Sequence, residues 1–416
     1  MRFQSSTHRI QKDMEALAQF TATPGLGVTR FSFTDEDRQA REYIKARMLE
    51  SHLTVYEDAA GTIIGHRPGQ KTDAPVVMIG SHFDSVKNGG AFDGTAGVIA
   101  GLEVARILDE NKISTRYPIE FIAMIEEEGS RFGSGLFGSR AMAGKVTDNE
   151  LKNFKDDEGI CIAEAMKRFG LESDKISAAV RTPEKLKAFL ELHIEQGPIL
   201  EKTGVNVGVV DTIVGIDQWE IVVQGRSDHA GTTPMDMRAD ALVAAAEIVK
   251  TVQQLALQAG SGTVATVGKM QVFPGAGNIV PGMVVFTVDI RSSDTEKIRH
   301  ISDELKNAVA DLPSEYPGIV SQVIPKLSIA PIQLSATILR MIEAEARTCG
   351  ISTKRMLSGA GHDAMVMAGL TEVGLIFVPS RNGRSHSPEE WTDYVQLKHG
   401  VDLLLRAALQ LAEVVP

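Results

Sequence analysis

Apolar side chains recur along the chain in two rhythms. Runs such as APVVMIGSH, YPIEFIAMI and LKAFLELHI are apolar almost throughout, the pattern of strands buried on both faces. Between them lie longer stretches, such as GTAGVIAGLEVARILDEN, whose apolar positions return with a helical period. Strands alternating with helices of this length predict a mostly parallel sheet covered by helices.

The rhythm changes after about residue 211. QWEIVVQG shows some two-residue alternation, and ADALVAAAEIVKTVQQLALQA reads as a helix. TVATVGKMQVF and MVVFTVDIRS predict strands paired antiparallel around the turn-rich PGAGNIVPG. A second amphipathic helix, TEKIRHISDELKNAVADL, and a short strand, IVSQVIP, complete the set. That order, strand-helix-strand-strand-helix-strand, is the split ferredoxin-like arrangement. The first rhythm then resumes and ends in the helix LKHGVDLLLRAALQLAEVV. The predicted organisation is a discontinuous α/β domain, residues 1–211 and 331–416, interrupted by a small α+β insertion, residues 212–330.

Composition narrows the class. A length of 416 residues favours two domains over one core. A net charge of -11 argues against nucleic acid or an anionic membrane as partner. No apolar run approaches the roughly 18 residues of a membrane span. The N-terminal MRFQSSTHRIQKDMEALAQF lacks an apolar signal core and reads as an amphipathic helix. Cys161 and Cys349 are the only cysteines, so neither a disulfide framework nor a thiolate zinc cluster is expected. These features fit a cytoplasmic enzyme or binding protein.

Ligand-type residues collect where the apolar runs end, which in open α/β sheets is where functional groups gather. VVMIGSHFDS delivers His82 and Asp84, and the following loop places Asp93 at the expected start of a helix, where a carboxylate can cap free amides. FIAMIEEEG delivers Glu126, Glu127 and Glu128, FLELHIEQG delivers His193 and Glu195, and GLIFVPSRNGRSHSP delivers His386. Three adjacent carboxylates at the end of a buried strand are costly unless a cation faces them. Imidazoles mixed with carboxylates, without thiolates, suit Zn, Mn, Co or Ni. More carboxylates than one ion needs suggest two ions sharing a bridge, with one acid left to move protons. His8, His52, His66, His300 and His399 are read as ordinary surface or core residues.

GSHFDSVKNGGAFDGTAG, EEEGSRF, ELHIEQGPILE, SDHAGTTPMDMRAD and PSRNGRSHSP resemble signatures of the amidohydrolase branch of the aminoacylase-like di-metal peptidases. The branch includes N-carbamoyl-L-amino acid hydrolases, β-ureidopropionases and allantoate amidohydrolases, and the likeness covers essentially the whole chain. It implies a mixed-sheet catalytic domain with two divalent ions and an inserted ferredoxin-like domain that pairs two subunits as a lid. It implies that His82 and His193 hold one ion, Glu128 and His386 the other, and that Asp93 bridges them. Glu127 would be the general base and Asp84 would orient His82. His229 would stabilise the oxyanion, and Gln196, Gln218, Asn278, Arg291, Gly359 and Gly361 would line the substrate pocket, Arg291 gripping a carboxylate. His362 competes with His386 as a ligand, the resemblance favouring His386. For Asn278 a turn role, for Arg291 a surface charge, and for His229 a helix entry at GTTP are the plain alternatives. Arg238 and Asp240 read as a helix-start pair.

The substrate is less tightly specified. Allantoate-specific members tend to carry a Gln-Arg-Arg-like segment where this chain has GIDQWE. GSGLFGSRAMAG and SHSPEEWT look closer to the L-carbamoylases, whereas GAGHDA is nearer the allantoate pattern. The balance favours an N-carbamoyl-L-amino acid. Allantoate, a carbamoyl-β-alanine and an aminoacylase-type substrate remain the alternatives, as does a metal- or amino-acid-binding protein without catalysis.

Overall fold

The computed structural model describes residues 3–415. In chain order its strands are β1 (Thr54–Glu57), β2 (Ile63–Arg67), β3 (Val76–His82), β4 (Ile119–Met124), β5 (Leu186–Ile194), β6 (Val207–Ile213) and β7 (Gly215–Gln224). They continue as β8 (Thr263–Thr266), β9 (Met270–Phe273), β10 (Met283–Ser292), β11 (Val320–Ile329), β12 (Ile332–Gln333), β13 (Thr353–Ser358) and β14 (Val373–Val378). The chain divides into two compact units. One comprises residues 1–211, 334–356 and 360–416, and the other residues 212–333 with 357–359.

The larger sheet has nine strands, in the order β1-β2-β4-β3-β5-β14-β6-β12 with β13 beside β6, and β1 to β5 and β14 lie wholly in the first unit. Parallel pairing is confined to its centre, β4, β3, β5 and β14. The β1·β2, β2·β4, β14·β6 and β6·β12 pairs are antiparallel, so the sheet is mixed rather than mostly parallel. β1 and β2 are joined by too few residues for a crossover, which forces a hairpin. β3, β4 and β14 are buried along their whole length. The helix Thr95–Glu110 beside them is buried at 13 of its 16 positions, consistent with an apolar surround. Because β3, β4, β5 and β14 run parallel, their carboxyl ends deliver His82, the three glutamates, His193 and the His386 loop to one edge of the sheet.

The second unit is a five-stranded antiparallel sheet ordered β11-β7-β10-β8, with β9 also paired to β10. Helices Ala241–Ala259 and Thr295–Glu315 follow β7 and β10, the split ferredoxin-like order. β10 alternates strictly between half-buried and buried positions. Val284, Phe286, Val288 and Ile290 pack with Trp219, Ile221 and Val223 of β7 against the two helices. The two-residue period therefore puts Gln218, Asp289 and Arg291 on the opposite face. The stretch expected to be one strand, TVATVGKMQVF, is two, β8 and β9, interrupted at Val267–Lys269 where Gly268 relaxes the pairing. Among the described residues no helix is long and apolar enough to cross a membrane.

Candidate metal centre and active site

Two groups of potential ligands meet at one carboxylate. His82, Asp93 and His193 form the first and are all buried; Asp93, Glu128 and His386 form the second. Asp93 Oδ1 lies 3.1 Å from His193 Nε2 and 3.6 Å from His82 Nε2, and Oδ2 lies 3.3 Å from His386 Nε2. Glu128 Oε1 is 3.4 Å from the same His386 nitrogen.

The imidazole tautomers follow from their partners. His193 Nδ1 is 2.9 Å from the Ile194 carbonyl and His82 Nδ1 is 3.2 Å from the Asp84 carbonyl. A carbonyl only accepts, so each Nδ1 carries the proton and each Nε2 lone pair faces Asp93. Gly94, at φ +60, leaves room for this: a Cβ there would overlap the His82 ring. The Asp93 carboxylate does not cap the helix that follows, as the sequence had suggested. Gly94 is the N-cap with no side-chain bond, and Asp93 Oδ2 is instead met by Gln196 Nε2 at 2.8 Å.

The three glutamates have three different surroundings. β4 ends at Met124 and Glu126 takes φ +53, which breaks the alternation that would have put Glu126 and Glu128 on one side. Glu126 is not solvated. It is 1% exposed and accepts from the amides of Arg131 and Phe132, tying down its own loop. Glu127 Oε2 lies 3.7 Å from His82 Nε2, next to the first group of ligands without belonging to it. Asp84 does more than stand beside His82. Its two oxygens accept from the amides of Glu127 (3.0 Å) and Glu128 (3.2 Å), while its carboxylate is 3.5 Å from His82 Nδ1. One side chain thus aims both glutamates.

The electrostatics suit a cation. Burial and the Asp93 charge push Glu128 up to about 7, and burial and Asp84 push Glu126 up to about 8. Burial holds Glu127 well above the usual carboxylate range, and the Glu128, Asp363 and Asp84 charges add to it. Among the described residues, Asp93, Glu127 and Glu128 form ion pairs with imidazoles alone. Glu128 Oε1 is buried without a hydrogen bond. Two imidazole nitrogens facing one shared carboxylate, with a buried Glu128 oxygen that has no hydrogen bond, suit divalent ions of the Zn, Mn, Co or Ni class.

Other expected residues land as follows. His362 is buried edge-on to His193, with ring centroids 4.5 Å apart, and belongs to neither ligand group. Burial and the His193 charge hold it well below its usual range, so it is neutral. Glu195, which arrived with His193 as a ligand-type residue, turns away: it accepts from Ile199 and Leu200 and caps the helix Ile199–Thr203. Gln196 takes φ +57, and its Oε1 is buried without a hydrogen bond, an open acceptor beside Asp93. Gly361 has no heavy atom within 4 Å of where a Cβ would stand.

In the second unit His229 and Asn278 are neighbours through a β-bridge between His229 and Ile279 and the bond from Ala230 N to Asn278 O. His229 Nδ1 accepts from Gly231 and Thr232, which leaves the ring proton on Nε2, free to donate. GTTP does not cap a helix here; Asp240 does, accepting from Leu242 and Val243. Arg238 instead pins the loop after His229 by donating to the carbonyls of Ala230 and Thr233. Gln218 and Arg291 meet at Asp289, on the wall of a cavity of about 520 Å³. Arg291 already makes a two-pronged contact, Nε at 2.8 Å and Nη2 at 3.3 Å from Asp289, and Nη1 donates to the Gly359 carbonyl. Only its remaining Nη protons can serve a ligand.

Three residues at these sites escaped the sequence reading. Glu191, wholly buried, accepts from Ser81 Oγ and Ala364 N, joining β3, β5 and the segment after His362. Arg30, also buried, donates to the carbonyls of Phe83, Leu17 and Phe20, backing the His82–Asp84 turn. Burial pushes it down to about 10. The third, Glu390, contacts Asp93 directly. Two of their elements carried a signal, a charged residue inside an apolar run at Glu191 and the acidic pair Glu389 and Glu390 three residues after His386.

Comparison with known proteins identifies the family of the chain. The model of peptidase family M20/M25/M40 matches residues 76–410, a span that holds every potential ligand described. The chain is 47% identical over 402 residues to an N-carbamoyl-L-amino-acid amidohydrolase of Paenarthrobacter aurescens, covering 97% of each. It is 35% identical over 407 residues to the allantoate amidohydrolase of Escherichia coli, again covering 97% of each. A crystal structure of an amidase of the hydantoinase/carbamoylase family from Burkholderia multivorans superposes with a TM-score of 0.90 at 35% identity, over 99% of both chains. The chain therefore belongs to peptidase family M20/M25/M40.

Proposed function

We propose that the chain is a metal-dependent amidohydrolase that cleaves the ureido amide of N-carbamoyl-L-amino acids, releasing the free amino acid, ammonia and carbon dioxide. The observation that carries this reading is the single Asp93 carboxylate shared by two groups of ligands, with Glu127 beside them, in a chain 47% identical to an enzyme of that name. His82 and His193 with Asp93, and Glu128 and His386 with Asp93, would each hold one divalent ion. Bound there, two such ions supply Lewis acidity to a substrate oxygen and an acidified water.

The chain's own residues do the rest. Glu127 takes the proton from the attacking water and passes it to the leaving nitrogen. Asp84 keeps Glu127 and Glu128 aimed through their backbone amides, so the base and a ligand share one support. His229 donates its Nε2 proton to the developing oxyanion, a role supported by its tautomer. Arg291, Gln218, Asn278 and Gly359 select the substrate carboxylate, and Gln196 and Gly361 line the pocket. The second unit is the surface through which two copies pair.

Allantoate is the second reading, supported by the GAGHDA segment and the Escherichia coli relative. Ammonia release from N-carbamoyl-L-methionine, allantoate and N-carbamoyl-β-alanine, with cleavage of N-acetyl-L-methionine alongside, separates the candidates. The carbamoyl-L-amino acid is expected to have a kcat/KM at least about tenfold above the others, about 1.4 kcal/mol of discrimination. A preference for allantoate would replace this reading with the second.

A further inference from the structure

Glu390 lies four residues after His386 and is 4% exposed, yet its carboxylate is met on both oxygens. Oε1 accepts from the amides of Phe92 (2.9 Å) and Asp93 (3.0 Å). Oε2 lies 2.7 Å from the Ser385 hydroxyl, which itself stands 2.9 Å from Asp93 Oδ2. The chain keeps a seat for this side chain: a Cβ on Gly90 would overlap the Glu390 carboxylate. Phe92 packs edge-on against Trp391, ring centroids 5.3 Å apart, and closes the same junction with apolar contact. One buried carboxylate thus grips the loop that carries Asp93 and, through Ser385, the loop that carries His386.

The Asp93 carboxylate serves two groups only while its oxygens point in two directions, one 3.1 Å from His193 and the other 3.3 Å from His386. Its orientation follows from the peptide plane that the Glu390 contact fixes and from the Ser385 hydroxyl beside Oδ2. His386 sits at φ +54, a conformation a non-glycine residue keeps only when its surroundings impose it. We propose that Glu390 is a positioning residue that fixes Asp93 between the two ligand groups and holds His386 against it. This rests on the reading of Asp93 and His386 as ligands; it assigns Glu390 no contact with substrate or reacting atoms.

The mechanism is hydrogen bonding rather than charge, and that makes it testable. Glutamine at 390 still accepts from both amides and donates to Ser385, whereas alanine leaves two buried amides unpaired. Chelator-stripped wild type, Glu390→Ala, Glu390→Gln and Ser385→Ala are titrated with Co²⁺, reading affinity and the visible absorption of the bound ion. Circular dichroism of each variant controls for folding. Loss of an outer support of this kind weakens metal binding by about 10- to 100-fold. That loss and an altered cobalt spectrum are expected for Glu390→Ala, with Glu390→Gln recovering most of the affinity. Ser385→Ala, which removes one arm at a partly exposed loop, is expected to lose about tenfold and decides the matter if Glu390→Ala does not fold. Wild-type affinity and spectrum in a folded Glu390→Ala, or in Ser385→Ala where Glu390→Ala does not fold, would overturn the proposal, as would a Glu390→Gln no better than alanine. Failure of the wild type to release ammonia from any ureido substrate would count against the proposed reaction, while the cobalt titrations still judge Glu390.

Discussion

Glu127 and Glu128 are adjacent in sequence, yet their geometry gives them separate work. Glu128 faces His386 and has a buried oxygen without a hydrogen bond, whereas Glu127 faces His82 from outside either ligand group. Glu127→Gln removes a proton acceptor and keeps the shape. The expected result is metal content equal to wild type with kcat lowered by about 10²- to 10⁴-fold. An emptied metal site on elemental analysis would make Glu127 a ligand and reverse the assignment. At this scale His82, Glu128 and His193 were legible as potential ligands because each lies at the end of an apolar run, and Asp93 and His386 because they sit in the loops that follow such runs. Glu390 was not, because its partners, Phe92 and Asp93, are 298 and 297 residues away in sequence. The burial of Glu126 was hidden because a single left-handed residue cancels strand alternation, and nothing in EEEG announces which glutamate takes it.

Elements explain why neighbouring ligand-type residues part company. His193 is inside β5, where the strand aims it, but Glu195 lies beyond the strand end and is drawn to the free amides of the next helix. Glu195→Ala should therefore destabilise the fold by about 1 kcal/mol, the usual worth of a helix cap, and leave metal stoichiometry unchanged. A urea melt and elemental analysis of the same sample check both halves; a lost ion would return Glu195 to the ligands. The strands and helices themselves were legible from periodicity, most clearly in β10, whose strict alternation puts its apolar side against the helices. The split of β8 from β9 was not, since an isolated glycine such as Gly268 inside a strand-like run does not by itself say that the strand breaks there. The antiparallel edges of the large sheet were also hidden, because a hairpin and a crossover differ in connection length more than in strand composition.

At the scale of the whole molecule the centre is a store of protons. In the metal-free chain Glu128 is pushed up to about 7 from 4.5 by burial and the Asp93 charge. The hydrogen bond to Asp93 pushes His386 up to about 9 from 6.5. Both groups hold protons in the folded state that the unfolded chain releases, Glu128 above about pH 4.5 and His386 above about pH 6.5. Their contribution to stability is thus greatest at low pH and is lost as pH rises through about 7 and then 9. A divalent ion must displace the same protons, so its binding strengthens over that window. Thermal melts with and without Mn²⁺ should show a larger metal-induced rise at pH 8.5 than at pH 6.0. Equal rises at both would mean that metal uptake is not coupled to these groups.

The central claim is that the residues gathered around Asp93 would hold two divalent ions, and that the chain so loaded hydrolyses N-carbamoyl-L-amino acids. The most direct test is to titrate chelator-stripped protein with Mn²⁺ or Co²⁺ while measuring ammonia release from N-carbamoyl-L-methionine. Activity should be absent without metal and rise to a plateau at two equivalents per chain. Ammonia release from the stripped protein, or none from the fully loaded protein, would contradict the claim.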